Sequence, residues 1–504
     1  MMQFYLFMFI LTLIQSIAIL PLRKLGIPYS YILLFASSFL VITSGVTYYI
    51  DPFLNIGSPF IISFISALIL EYLLFSVVIN FSDCFLRLNV TLKNKKYFFE
   101  IFILFTIITI LMVIFSNIYT KEAFLKFGDF NDFVKLVEFI SIYKQDFFSL
   151  TYTDIGQNEP RLGLFYPYAG FIISSLAYTL LDLSAIDATY YLIIFISFYS
   201  YIFSMYVLIK ILKIPNLYTM LTYLLLANIF PIGLIFSGNI SSIYGIIGSI
   251  SGLILINLCK ASIKPTAYSI IVILLLIIIL PLHPSAVVTF IFFIIAINTI
   301  FQKLDIKKLK LFIYSLLGIL IGGIAIIASS VSFGFIHSKS LDSIHKVWYG
   351  FIKSLPNRIS LEDFLSEASL HRRALEFFWT NVVSLSSWEW LIPTSLILWV
   401  SIIYSYFKFS KEISYFFPLL FYLYLIISSS TSGIHGLRFI SFLSIPYYQS
   451  PARILHIGVL LYFLYLGRFL IDKEEELDSL IRKYKYFIHN SIIKFTYIRS
   501  NKKI

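Results

Sequence analysis

Long apolar segments separated by short polar loops form the main pattern of this chain. Most segments are about 20 residues long, which is the length an α-helix needs to cross a hydrocarbon core of about 30 Å. In such a core every backbone N–H and C=O group has to be hydrogen-bonded within its own segment, so the segments are predicted to be helices. The predicted helices cover residues 3–20, 29–48, 59–80, 98–117, 166–183, 188–212, 217–236, 240–259, 267–281, 284–300, 311–332, 390–407, 413–430 and 454–471.

Lysine and arginine are concentrated in the short loops, and the positive-inside rule places such loops in the cytoplasm. On this rule Arg23 and Lys24 mark the first inside loop. The apolar block before them is predicted to be a retained first helix with its N-terminus outside. The polar segments that are then predicted to face the outside are residues 118–165, 333–389 and 431–453.

One pair of basic residues conflicts with this topology. Lys210 and Lys213 are expected inside, yet three predicted helices separate them from Lys96, and three crossings place them outside. Either a segment within residues 98–212 does not cross fully, or the charge rule fails there. The segment 166–183 is the suspect, because acidic residues and no basic residues flank it.

The composition excludes an ordinary soluble protein. Of the 504 residues, 59% are hydrophobic and 13% are charged, whereas a soluble domain has about 25% charged residues. The net charge of +12 comes from the short loops and does not indicate nucleic-acid binding. The predicted fold class is an all-α polytopic transmembrane bundle of about 13 spans in the plasma membrane, with short interfacial helices in its external loops.

The loops and apolar segments predict how the chain is organised. It is divided into N-terminal transmembrane helices at 1–97, a transmembrane core at 98–332, an external loop at 333–389, C-terminal transmembrane helices at 390–471 and a charged cytoplasmic tail at 472–504. No Walker loop or dinucleotide-binding glycine pattern appears, so nucleotide use inside the cell is not supported. The two cysteines lie at or near apolar segments and indicate no disulfide framework.

The first external loop contains two acidic residues that are candidates for catalysis. Asp129 and Asp132 are three residues apart, so they share a face if the segment is helical. A carboxylate held at the boundary between water and lipid can take a proton or bind a cation. The alternative is that Asp129 is the N-cap of a short interfacial helix, because aspartate is a preferred N-cap residue.

The end of the same loop carries candidate substrate-binding residues. The planar guanidinium of Arg161 can pair with a carboxylate or a phosphate. The alternative for Arg161 is a surface ion pair with Glu159. Tyr166 and Pro167 open the next apolar segment, and Tyr166 is a further candidate for substrate binding.

The later part of the chain contains three further candidates for phosphate or substrate binding. His435 and Arg438 lie in the segment 431–453, where a basic residue between a glycine-rich stretch and an apolar run could reach a lipid phosphate. The alternative for Arg438 is snorkelling to the membrane interface. His283 lies in a break between two apolar segments, which is either a plain external turn or a broken helix that lines a cavity.

The order of these motifs resembles the membrane glycosyltransferases of the GT-C type. The resemblance rests on a helix followed by the Gly128-Asp129-Phe130 loop, and on Phe165-Tyr166-Pro167-Tyr168 at the opening of the next helix. It covers roughly residues 98–300 in layout. The Trp-Trp-Asp signature of the oligosaccharyltransferase branch is absent from this chain.

The resemblance implies a polyprenyl-phosphate-linked sugar as donor and a glycan, lipid or protein as acceptor. It implies that Asp129 is the general base or the ligand of a divalent cation, with Asp132 as the second candidate. Inversion at the anomeric carbon is expected from the same likeness. Two other classes of function remain open, a multi-pass transporter or flippase and a non-catalytic membrane scaffold.

Overall fold

A computed structural model describes about half of the chain. The described residues are 2–25, 27, 29–54, 60–80, 95–118, 121, 130–142, 169–213, 240–259, 265–301, 317, 417–422, 424–425, 460–461, 464–465, 467–476 and 479. Every regular element in these residues is helical, which agrees with the predicted all-α class. The loops 333–389 and 431–453 and the predicted helices 217–236, 311–332 and 390–407 lie outside the described residues, apart from the single residue 317.

Eleven α-helices can be followed in the described ranges up to residue 301. They are α1 Met2–Ala18, α2 Tyr29–Leu54, α3 Ile61–Asn80, α4 Lys95–Ile118, α5 Phe130–Ile142, α6 Ile172–Leu181, α7 Ala185–Ile194, α8 Tyr201–Ile211, α9 Ile240–Cys259, α10 Pro265–Ile279 and α11 Pro284–Phe301. Short 3₁₀ turns follow α1 at Leu20–Leu25 and precede α6 at Ala169–Phe171. A π-helical turn at Phe195–Ser200 joins α7 to α8.

Helix α2 lies at the centre of the described bundle. It packs against α1, α3, α8, α9 and α10. At Gly45 the backbone of α2 approaches α10 so closely that an added Cβ would lie 2.3 Å from the carbonyl oxygen of Ile278. One turn further along α2, the hydroxyl of Tyr49 donates a hydrogen bond to the carbonyl of Ile277 at 2.9 Å. These contacts fix α2 against α10.

Helix α1 turns its polar residues inward and its apolar residues outward. Thr12, Gln15 and Ser16 are buried against the neighbouring helices. The opposite face is exposed and consists of large apolar side chains, Leu6, Phe9, Ile10, Ile14 and Ile17. A helix in water has the reverse arrangement, because its polar face is hydrated and its apolar face is packed.

Two helical segments in the described part of the chain have the length and composition needed to cross a membrane. They are Tyr29–Asp51 within α2 and the continuous stretch Ala185–Ile211, which comprises α7, the π-helical turn and α8. The sequence predicts both segments, as residues 29–48 and 188–212. The predicted segment 240–259 has the same bounds as α9.

Helix α6 is too short to cross a bilayer. Its 10 residues span about 15 Å at 1.5 Å per residue, about half of a hydrocarbon core. The chain reverses directly after α6, where Asp182 adopts a left-handed conformation with φ 53°. The hydroxyl of Ser184 then caps α7 by accepting a hydrogen bond from the backbone N–H of Asp187 at 3.1 Å.

An ion pair places the end of α4 and the start of α7 at the same end of the bundle. Lys121, three residues after α4, pairs with Asp187 in the first turn of α7. The number of crossings between α4 and α7 is therefore even, and α7–α8, which is long enough to cross a membrane, leads away from this end. This arrangement agrees with the suspicion that the segment 166–183 does not cross fully. The location of Lys210 and Lys213 on the same side as the other basic loops stays a prediction.

Cysteine labelling tests this topology. We expect a membrane-impermeant maleimide added to intact cells to label Asp182→Cys and to label Lys213→Cys only after the membrane is opened. The two positions are matched, because both are exposed and both have a positive φ, 53° and 59°. Native Cys84 and Cys259 are first replaced by serine.

Lys24→Cys, exposed on the first 3₁₀ turn, is the inside reference for the labelling. Labelling of position 213 from outside would mean that α7–α8 does not run from the external to the cytoplasmic end.

Candidate functional site

His283 is buried at the turn between α10 and α11. It is 1% exposed, and its carbonyl accepts a hydrogen bond from the N–H of Ala286 at 2.9 Å, as the N-cap residue of α11 does. The backbone N–H of Ser285 donates to Nδ1 of His283 at 3.2 Å. Because Nδ1 accepts this bond, the neutral tautomer carries its proton on Nε2. Nε2 faces the hydroxyl of Ser242 at 3.5 Å.

Of the two interpretations of the His283 break, the structure therefore shows the turn. His283 joins two separate helices, and Pro284 occupies the first position of α11, where proline is favoured. The turn is nevertheless buried rather than open to solvent. An imidazole held at such a place can donate a proton or a hydrogen bond from Nε2.

Helix α5 begins at Phe130, directly after the predicted catalytic residue Asp129. Its buried face, which includes Phe133 and Val137, packs on α6 and α7. The rings of Phe133 and Phe171 stack with centroids 4.8 Å apart. One end of the helix is held by a 2.6 Å hydrogen bond between the hydroxyls of Ser141 and Ser175. A short helix is therefore present in this segment and is docked on its neighbours, while its predicted position at the membrane interface stays a prediction.

A chain of contacts leads from α5 to the turn at His283. The ring of Phe171 meets the ring of Tyr244 edge-on at 5.1 Å. Next to Tyr244, Gly245 lies against the turn so closely that an added Cβ would be 2.9 Å from Cβ of His283. A direct bond strengthens the link, since the N–H of Ala169 donates to the carbonyl of Pro281 at 3.3 Å. The start of α5, the 3₁₀ turn before α6 and the α10–α11 turn thus lie together.

Most of the predicted site residues cannot be placed. Asp129, Glu159, Arg161, Tyr166, His435 and Arg438 lie outside the described residues. Asp132 lies in the first turn of α5, but its side chain is not described. Within the described residues no group of three histidine, cysteine or acidic side chains is arranged to hold a metal ion. Binding of a divalent cation by Asp129 remains a prediction.

An apolar cleft opens between α1, α4 and the π-helical turn. Its volume is about 390 Å³. The rings of Phe195 and Tyr199 form one wall and stack on each other with centroids 4.8 Å apart. Single-turn π-bulges within α-helices often mark functional sites. The remaining lining residues are Tyr5, Phe9, Thr12, Phe105, Ile108, Thr109, Met112, Val113 and Ser116.

Aromatic residues and one ion pair surround the end of this cleft. Tyr5 lines the cleft, and its ring lies 6.1 Å from that of Tyr191. Nζ of Lys121 lies 5.1 Å from the centroid of the Tyr191 ring. The hydrogen bond from Lys121 to Asp187 raises the pKa of Lys121 above its usual value. An ammonium group is thus held beside the cleft, at the end of the bundle that α5 also occupies.

No sequence pattern predicted a role for Lys121, for Asp187 or for the cleft. Asp187 was recognised only as an acidic flank without a basic neighbour, and its partner is far away in the sequence. Such a partly exposed pair contributes about 0–1 kcal/mol to stability, so its importance is in the geometry that it defines. The Ser184–Asp187 spacing of a helix N-terminus is the one local signal that the sequence offers.

Comparison with known proteins gave no match. No family model, no curated protein and no solved structure matches the chain. The functional argument therefore depends on the residues and contacts described above.

Proposed function

We propose that this protein is an integral membrane glycosyltransferase of the GT-C type. It transfers a sugar from a polyprenyl-phosphate donor to an acceptor glycan, lipid or protein at the external face of the plasma membrane, with inversion. The complete chain forms a bundle of about 13 spans. The exposed apolar face of α1, opposite its buried polar residues, supports a lipid environment for the described helices.

The docked helix α5 is the observation that carries the proposal. It follows Asp129 in the chain and is fixed by Phe133 on the turn that follows Tyr166-Pro167. The same turn is hydrogen-bonded to the α10–α11 turn next to His283. Asp129, Tyr166-Pro167 and His283 belong to three segments that the sequence predicts to carry chemistry. The described parts of the chain next to these residues, which are α5, the turn before α6 and the α10–α11 turn, are linked by contacts. A structural linker between helices would not need this convergence.

The apolar cleft supports a lipid-linked donor. A polyprenyl chain needs an apolar surface that opens sideways between helices, and the cleft between α1 and α4 provides one. Lys121 lies beside this cleft, and its ammonium has three hydrogen-bond donors. Asp187 occupies part of this capacity and fixes the position of the side chain. Tyr191 accepts a further hydrogen bond from Lys121, and a phosphate at this end would take the donor that remains.

The proposed reaction is a single displacement. The acceptor hydroxyl attacks the anomeric carbon while the bond from this carbon to the phosphate oxygen breaks. Asp129 takes the hydroxyl proton as general base. Arg161 and Arg438 stabilise the charge that develops on the leaving phosphate. Asp132 is the second candidate for the base. The proposed supporting residues for substrate binding are Glu159, Tyr166, His283 and His435.

The Asp129→Asn substitution tests the base. It keeps the shape of the side chain and removes its basicity, so we expect transfer from a polyprenyl-phosphate sugar to fall about 10²–10⁴-fold. The measurement is transfer of radiolabelled sugar in membranes that contain equal amounts of each variant.

Asp132→Asn is the matched control, because it makes the same change three residues away in the same segment. Equal losses in both variants would assign the base to neither residue alone. Unchanged transfer by Asp129→Asn would remove Asp129 from the mechanism.

Filling the cleft tests the donor site. Thr109→Trp places a large ring in the cleft and should raise KM for a long-chain donor about tenfold, the effect of excluding roughly two methylene groups. KM for a donor with a short lipid chain should stay the same.

Ile110→Trp is the matched control, because this neighbour is exposed but does not line the cleft. If both tryptophan variants bind the long-chain donor like the wild type, the lipid does not use this cleft.

A further inference from the structure

Three polar side chains meet between α1, α2 and α3. Gln15, Thr43 and Glu71 are respectively 0%, 0% and 4% exposed. Nε2 of Gln15 lies 2.7 Å from Oε2 of Glu71. Oγ of Thr43 lies 2.7 Å from Oε1 of Gln15 and 3.0 Å from both carboxyl oxygens of Glu71. Each of the three side chains is therefore within hydrogen-bond distance of the other two.

Counting protons shows what these distances require. Thr43 has one hydroxyl proton, and it can serve only one of three acceptors, which are Gln15, Glu71 and the carbonyl of Phe39 at 3.1 Å. With an ionised Glu71, one short oxygen–oxygen contact has no proton. With a protonated Glu71 a closed ring forms, in which Glu71 donates to Thr43, Thr43 donates to Oε1 of Gln15 and Nε2 of Gln15 donates back to Glu71. Each donor is then used once.

The result does not depend on the orientation of the Gln15 amide, whose oxygen and nitrogen positions are interchangeable by a flip. If the amide is flipped, its oxygen lies 2.7 Å from Oε2 of Glu71. Two oxygens at this distance need a proton between them, and only Glu71 can supply it. Both orientations therefore favour a protonated carboxyl group.

The surroundings of Glu71 provide little that would stabilise a charge. Glu71 lies ten residues into α3, about 15 Å from its first residue. The side chains that hydrogen-bond it, Gln15 and Thr43, are neutral. Within the described residues, the elements packed against α3 are α1, α2 and the first 3₁₀ turn. Their titratable side chains, with that of α3 itself, are Tyr5, Arg23, Lys24, Tyr29, Tyr31, Tyr48, Tyr49, Asp51 and Tyr72, of which Arg23 and Lys24 are exposed.

We propose that Glu71 is a proton-binding site inside the bundle, occupied at neutral pH and closed by Gln15 and Thr43. The site is separate from the external end where sugar transfer is proposed. It gives the protein one buried group that can take up and release a proton within its apolar helices. Buried ionisable residues in such helices are functional candidates by default.

Infrared spectroscopy of the full-length protein in lipid vesicles tests the proposal directly. The spectrum of E71Q is subtracted from that of the wild type at pH 7. We expect the difference to contain the carbonyl band of a protonated carboxylic acid, which is lost at alkaline pH. Asp51→Asn is the control carboxyl group near the end of α2, where Ser63 donates to it. Carboxylate bands for Glu71 at pH 7 would overturn the proposal.

Thermal unfolding provides a second measurement, which does not need a resolved band. The amide of E71Q can donate to Thr43 as a protonated carboxyl group does, so E71Q should unfold near the wild-type temperature at pH 7, whereas Glu71→Leu should unfold earlier. The folded wild type binds a proton that the unfolded chain has released, so its stability should fall as pH rises, and this fall should be smaller in E71Q. A wild type that loses no more stability than E71Q at alkaline pH would contradict the proposal.

Discussion

Hydrocarbon offers no hydrogen-bond partner, and this constraint explains how the described helices are arranged. A polar side chain in an apolar helix has to find its partner inside the protein. Thr43 and Glu71 therefore point to Gln15, and the hydroxyls of Ser44 and Thr47 bond to carbonyl groups of their own helix. The large apolar side chains are left for the outer surface. Helix α2 is central because it carries many of these inward polar groups.

The same constraint acts at the ends of the described helices. Helix ends have backbone groups without intrahelical partners, so they need caps or contacts with other segments. The α6–α7 turn meets this need through Ser184, and the α10–α11 turn through His283 and the N–H of Ala169. The bond from Ala169 and the stacking of Phe133 on Phe171 bring the start of α5, the turn before α6 and the α10–α11 turn together. A site for chemistry beside the α10–α11 turn would use contacts that the capping of these helices already requires.

In the part of the chain that the structure describes, hydrophobic pattern alone predicted where the long helices lie, because each is defined by its own residues. The bounds of α9 agree at both ends with the prediction, and α10 and α11 agree within two residues. The predicted segment 166–183 was different. Its apolar residues indicated a span, whereas its acidic flanks argued against one. The Lys121–Asp187 contact agrees with the argument from the flanks.

The candidate site was harder to predict than the helices, because it depends on contacts between residues that are distant in the sequence. No local pattern connects Phe133 to Phe171 or Lys121 to Asp187. The burial of His283 was also hidden, since its proline-flanked turn has the composition of an exposed loop. The sequence shows Glu71 as a charged residue within a predicted span. Its hydrogen-bonded ring with Gln15 and Thr43 could not be predicted, because it depends on how α1, α2 and α3 pack together.

Helix α2 connects the proposed proton site to α10. Thr43 belongs to the ring around Glu71, and two residues later Gly45 lies directly on the backbone of α10 at Ile278. Backbones in such contact have no side chain between them to absorb a shift, and close-packed interiors transmit strain. Loss of the Glu71 proton would break the ring and change how α2 sits against α1 and α3. The displacement would then reach α10, whose end carries the turn with His283.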